Sequence, residues 1–265
     1  MDFYESENEA MLASPNPDND QKPQEGFTFN WFNLFLGMAI LFGLSNGDFL
    51  SSDWTLYIYL AVVVIIHELG HVIAGKSFGC VIQEMQVFFL SFVSYKHRQE
   101  VEGNSWRDIK WSLGVLPLGG VTIFKSRKAD DENRLMTSAT SPYIEDKPAW
   151  QRLLISAAGV LCNIITFLIL FFTTPHMSFD LQAFFWPLMS WSLVLAALNI
   201  LPVYPLDGGA IVFAIYEILT GKKPSPGFTK ACGWLGFIFI VLFFWVFPEW
   251  LESIIQGIFL LFFPK

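Results

Sequence analysis

Charge is what this chain has least of: Asp, Glu, Lys and Arg make up 15% of its 265 residues, against about a quarter in an ordinary soluble domain. Set beside 53% hydrophobic residues and a mean hydropathy of +0.45, that scarcity excludes a soluble globule and implies a membrane protein. Positive charge is the scarcer sign, with 16 Lys and Arg against 24 Asp and Glu and a net charge of -8. A nucleic-acid binder needs a basic face to neutralise phosphates, so that class is excluded. Cysteine is also sparse. Cys80, Cys162 and Cys232 are far apart and odd in number, which excludes a disulfide framework and any Cys-x-x-Cys metal site and leaves apolar filling as their role. The N-terminus lacks the basic n-region of a secretory signal and the arginines of a transit peptide. Residues 1–26 instead carry seven acidic residues against Lys22 alone, six of the eight net negative charges, in a Pro/Asn/Asp-rich stretch. Too little of it is apolar to offset the entropy of ordering, so it reads as a disordered acidic tail.

What the chain has in abundance is long apolar runs. About 20 helical residues cross a hydrocarbon core of about 30 Å, and five runs approach or exceed that length: 27–45, 54–75, 150–173, 183–201 and 231–247. Residues 254–263 form a shorter run, either interfacial, re-entrant or the rest of a sixth span. The expected fold is an all-α polytopic membrane protein with five to six transmembrane helices. A small membrane-associated β-hairpin or sheet is expected after the second helix, in the apolar stretches Val87–Tyr95 and Gly114–Phe124. The polar run from Lys125 to Lys147 reads as a solvated connector. Connections 46–53, 174–182 and 248–253 hold no Lys or Arg, whereas ten fall between Lys76 and Lys147. By the positive-inside rule the base-rich segments and the N-terminus are cytoplasmic. Trp54, Trp150, Trp186 and Trp250 stand near span ends, as an interfacial belt requires.

Inside the second run, His67, Glu68 and His71 interrupt an otherwise apolar helix, and ionisable groups at such depth are functional by default. His67 and His71, at i and i+4, share one helical face where two imidazoles can hold one zinc ion. Glu68 follows the first histidine, where its carboxylate can take a proton from water as general base. With Lys76 near the interface, nine residues of helical rise put His67 about 13 Å deep.

Two histidines leave room for a third ligand. His97 lies in the basic loop and His176 in the outer connection, so a carboxylate is needed. Asp207 follows Pro202 and Pro205 and precedes Gly208 and Gly209, a stretch able to turn a carboxylate back toward the second span. The same Asp could simply cap a helix. Glu217 competes with it, but beside Gly221, Lys222 and Lys223 it reads as the cytoplasmic end of a helix.

HELGH at His67–His71, together with NILPVYPLDG at Asn199–Gly208, resembles the site-2 protease family of intramembrane zinc metalloproteases, peptidase family M50. The second segment fits the family's Asn-x-x-Pro-x-x-Pro-Leu-Asp-Gly signature. FGC at Phe78–Cys80 and VLPLGG at Val115–Gly120, similar to the family's membrane-dipping hairpin loop, extend the likeness, as does KPAWQRLLISAAGVLCN. In that last segment Val160 replaces an expected proline. The resemblance covers about residues 54–220. It implies one Zn²⁺ per chain held by His67, His71 and Asp207, with Glu68 as base, hydrolysing peptide bonds in or near transmembrane segments of membrane protein substrates. It also implies substrate binding at Asn199. Asn163 on its own reads as an amide joining helices.

The expected organisation is the tail 1–26 and a single protease domain 27–265, in a multi-pass protein of the plasma membrane with its active site toward the cytoplasm. Outer connection 174–182 and the ending at Lys265 leave no room for PDZ or CBS modules, so a minimal form is expected. A strand edge in the Val81–Pro148 segment could pair with an unwound substrate. The competing reading from another class is a catalytically silent relative that binds or chaperones membrane segments. Intact Glu68 speaks against it, since a binder needs no base. A zincin of the prenyl-peptide-processing type would want Glu as its third ligand on a later helix.

Overall fold

The computed structural model describes residues 26–44, 54–97, 105–126, 141–246 and Gly257. In chain order they form strand β1 (Gly26–Phe29), helices α1 (Trp31–Leu44) and α2 (Trp54–Ser77), and strands β2 (Ile82–Lys96) and β3 (Lys110–Phe124). Helices α3 (Ala149–Thr173), α4 (Phe179–Asn199), α5 (Asp207–Thr220) and α6 (Pro226–Val246) follow. Among the described residues, three helical stretches are long and apolar enough to cross a membrane: Thr55–Ser77, Ala149–His176 and Phe179–Asn199.

The first expected span has a different form. Its opening residues pair as β1 against β2, Phe27 with Tyr95 and Phe29 with Val93. What remains is a 14-residue helix, about 21 Å long and short of the bilayer core. The fifth run appears as α6. Residues 1–25 of the acidic tail and, apart from Gly257, residues 254–263 lie outside the described residues.

Both expected strands form, and each is used twice. Glu84 is partnered by Lys110 and by Ile123, and Val87 by Leu113 and by Gly120, while Tyr95 pairs with Trp111. The reversal within β2 falls at Phe88 and Leu90, which adopt φ of 66° and 54°. β3 can fold against it because Gly114 lacks a side chain: a Cβ there would collide with the carbonyl oxygens of Phe88 and Phe89. VLPLGG therefore lies within a bent strand of the sheet.

Hydrophobic burial welds this sheet to α2. Val64 and Val72 of the helix join Ile82, Met85, Val87, Phe88 and Ile109 in one buried cluster, flanked by Leu60, Leu69 and Phe124. The opposite face of α2 meets α3 closely, for a Cβ on Gly70 would stand 2.6 Å from the carbonyl oxygen of Ala158 and 2.9 Å from Cys162 Sγ. Small residues at such a crossing are the usual device for bringing membrane helices together. The α2 residues outside these two contacts, Ile58, Ile65 and Ile73 among them, are exposed yet apolar, as expected of a helix that faces lipid.

Gly79, at φ +75°, takes the left-handed conformation that ends α2. The chain turn after it is held by Lys147, whose Nζ donates to the carbonyl of Phe78. Lys147 and Asp146 are buried, and Asp146 accepts a hydrogen bond from Ser141. The end of the polar run, expected as solvated connector, is therefore built into the structure. Cys80 packs here fully buried, and burial pushes its thiol above its ordinary range, with Lys147 pulling the other way.

Candidate metal centre

Two turns of α2 and the first residue of α5 bring three donor atoms together. His67 Nε2 lies 3.0 Å and His71 Nε2 3.2 Å from Asp207 Oδ2, and the two Nε2 atoms are 3.2 Å apart. His67, His71 and Asp207 form the group among the described residues able to hold a metal ion. Four-coordinate tetrahedral binding with bonds of about 2.0–2.1 Å separates ligand atoms by about 3.3–3.4 Å, close to all three spacings.

The protons on this triangle test whether an ion belongs there. His71 Nδ1 lies 2.8 Å from the carbonyl oxygen of Ile155, which can only accept, so the proton sits on Nδ1 and Nε2 presents a lone pair. Asp207 Oδ2 is buried and receives no hydrogen bond of acceptable geometry despite its two imidazole neighbours. A proton shared between the rings would still leave this oxygen alone, at a cost of about 1–3 kcal/mol or more for a charged group. A cation among the three satisfies all of them, so the residues fit zinc. Two imidazoles and a carboxylate are a donor set that zinc takes in proteins.

Burial makes the cluster expensive and therefore specific. His67, Glu68 and His71 are all under 8% exposed, whereas the Asp207 side chain is 19% exposed.

Asp207 arrives there because residues 200–206 fold over the start of α5. A Cβ on Gly208 would collide with the carbonyl oxygens of Ile200 and Leu201, and one on Gly209 with the backbone of Tyr204. The two glycines lie in the first helical turn, so they serve close approach where a sharp turn was expected. Leu206 is the N-cap residue and makes no side-chain cap. The rival carboxylate, Glu217, pairs with Arg152 of α3 instead, which ties the far end of α5 to α3.

Glu68 sits against the sheet. Thr122 Oγ1 donates to Glu68 Oε2 at 2.7 Å. On the same face of β3, a Cβ on Gly120 would stand 2.8 Å from Glu68 Oε1. The glycine leaves the carboxylate its space and the threonine fixes it.

Three contributions from α3, spaced four residues apart, complete the surroundings. Ile155 supplies the carbonyl for His71. Gly159 leaves room for both rings, since its Cβ would stand 2.7 Å from His71 Cε1 and 2.8 Å from His67 Cε1. Asn163, fully buried, places Nδ2 3.2 Å from His67 Nδ1. Helical spacing pointed to His67, Glu68 and His71 and the family signature to Asp207, but neither pointed to Thr122 or Gly159; the Asn163 amide, expected to join helices, does link α3 to α2, and its partner there is the His67 ring. Asn199 behaves differently: its Nδ2 donates to the carbonyl of Leu195 in its own helix, at 3.1 Å.

Residues 55–179 and 174–243 match the model of peptidase family M50. The metalloprotease MmpA of Caulobacter vibrioides is 29% identical over 133 residues, 44% of this chain and 31% of that one. A zinc metalloprotease of Methanocaldococcus jannaschii is 24% identical over 218 residues, 80% of this chain and 49% of that one. The chain thus spans half or less of the length of these curated relatives. The solved site-2 protease from Methanocaldococcus jannaschii aligns with a TM-score of 0.47 and 21% identity, over 89% of this chain and 91% of that one.

Proposed function

This chain belongs to peptidase family M50, and from that membership we propose that it is an intramembrane zinc endopeptidase cutting membrane proteins within or beside their transmembrane segments. The observation that carries the proposal is the convergence of His67, His71 and Asp207 around an otherwise orphaned carboxylate oxygen, with Glu68 next to them in sequence. His67, His71 and Asp207 would hold one Zn²⁺. When bound, zinc supplies a Lewis acid that polarises the scissile carbonyl and makes water easier to deprotonate.

The remaining work falls to the chain's own groups. Glu68 takes a proton from the attacking water as its oxygen bonds to the carbonyl carbon. It then delivers that proton to the departing amide nitrogen as the C–N bond breaks. Thr122 keeps the carboxylate from swinging away. α2, α3 and the sheet keep bulk water out, so that a peptide must be opened before it reaches the site. Extended peptide is what such a site accepts, and the β3 edge beside Glu68, together with Asn199 at the end of α4, is suited to hold it.

In this reading the protein is a multi-pass enzyme of the plasma membrane, with five or six spans to which α6 contributes and the site toward the cytoplasm. The base-rich residues 76–147 support that orientation. Substrate and lipid are its partners.

Metal analysis of purified variants tests the site. Asp207→Ala is expected to lose stoichiometric zinc, and Glu217→Ala, which breaks only the pair with Arg152, to keep it. The opposite pattern would show that Glu217 is the true ligand.

A further inference from the structure

We infer that Asn163 is a positioning residue for His67: in the zinc-loaded protein its amide carbonyl oxygen accepts the proton on His67 Nδ1 and fixes the tautomer that can bind metal. This rests on the zinc-site reading above and adds a role for a residue of α3 that touches neither metal nor substrate.

The two imidazoles are in different situations. His71 is settled by Ile155, whose carbonyl oxygen at 2.8 Å from Nδ1 admits only one tautomer. The partner at His67 Nδ1 is an amide, which can present either a donor or an acceptor. With Nδ2 facing the ring at 3.2 Å, the amide donates, Nδ1 carries the lone pair and the ring proton sits on Nε2. That proton would then occupy the triangle formed with His71 Nε2 and Asp207 Oδ2, where a cation has to be. His67 cannot ligate through Nε2 in that state.

A second observation comes from the amide itself. Asn163 is fully buried, and its Oδ1 has no hydrogen-bond partner. A half-turn about the terminal side-chain bond exchanges Oδ1 and Nδ2 without moving the helix, and amide orientation is governed by the network rather than by shape. After the exchange Oδ1 accepts from Nδ1–H, and both histidines present lone pairs to one point. Ile155 and Asn163 then act as equivalent acceptors for the two rings, in the outer-ligand arrangement that orients metal-bound histidines.

The test uses full-length protein in detergent and zinc alone as the probe, with zinc affinity measured by competition against a chelator. Asn163→Asp keeps an acceptor in the same place, whereas Asn163→Leu removes it while filling the space. The expected result is a zinc dissociation constant for Asn163→Asp within about threefold of wild type, and one weakened about 10- to 100-fold for Asn163→Leu, the usual effect of removing an outer partner. The ¹⁵N signals of His67 in the loaded protein are expected to report a protonated Nδ1.

Unchanged affinity in Asn163→Leu, equal weakening in both variants, or a His67 proton on Nε2 in the loaded protein would overturn the inference. If Asn163→Leu does not fold, Asn163→Ala beside Asn163→Asp preserves the contrast. His67→Ala separates the two claims. If it too binds zinc like wild type, the metal-site reading has failed; if it loses zinc while Asn163→Leu does not, only the role of Asn163 has.

Discussion

Replacing Gly159 with alanine is the smallest perturbation that should disable the centre. The added methyl would stand 2.7 Å from His71 Cε1 and 2.8 Å from His67 Cε1, and closer still to His71 Nε2. Carbon atoms prefer about 3.5–4.0 Å, so each ring must retreat by about 1 Å or α3 must move away from α2. Retreat is incompatible with metal binding, where ligand distances tolerate about ±0.2 Å. Separation of the helices would stretch the 2.8 Å bond from His71 to Ile155. Alanine is by itself the better helix former, by about 1 kcal/mol, so loss of the helix is not the expected failure. Zinc affinity should fall at least about tenfold to a hundredfold, as when an outer partner is lost, while helical content by circular dichroism stays at the wild-type level. Gly227→Ala, where the added carbon meets nothing within 4 Å, is the matched control. Wild-type zinc affinity in Gly159→Ala would refute the packing of α3 against the two histidines.

Thr122→Val should retain zinc but lower kcat about tenfold to a hundredfold, since a hydrogen bond to a charged group contributes about 1.5–3 kcal/mol. Thr122→Ser should restore most of the rate, and a full rate in Thr122→Val would show that the bond to Glu68 does not matter for turnover. For topology, cysteines introduced at the exposed Ser126 and Ser178 should react with impermeant reagents from opposite faces, Ser126 from the cytoplasm. Labelling from the same or the reversed faces would contradict the orientation.

The parts of this structure legible in the sequence are those whose signal is local. His67 and His71 share a face because four residues make about one helical turn, and Asp207 stands in a signature that can be read without knowing where α5 points. The strands were legible because Val87–Tyr95 and Gly114–Phe124 are rich in β-branched and aromatic residues. β1 was not: Phe27–Phe29 runs directly into apolar α1, so composition reads as one span, and only the Phe27–Tyr95 and Phe29–Val93 pairs reveal the strand. Gly208 and Gly209 suggested a turn, but their reason is contact with residues 200–204, a tertiary fact. Thr122 lies 54 residues from Glu68, Gly159 88 from His71 and Asn163 96 from His67 in sequence. No spacing rule connects residues joined only by packing. The repeat of 155, 159 and 163 on one helix face was available, but nothing in it named the partner helix.

That Glu68 acts at a zinc site to cut peptide bonds inside the membrane can be read from the products themselves. Zinc-loaded protein reconstituted with a panel of single-span membrane proteins, its products mapped by mass spectrometry, tests it most directly. At least one substrate is expected to be cut within or beside its apolar segment by the wild type, and Glu68→Gln to keep stoichiometric zinc but yield no product, because an amide cannot take the proton from water. Cleavage by Glu68→Gln at the wild-type rate, or cuts confined to soluble regions far from the span, would contradict it.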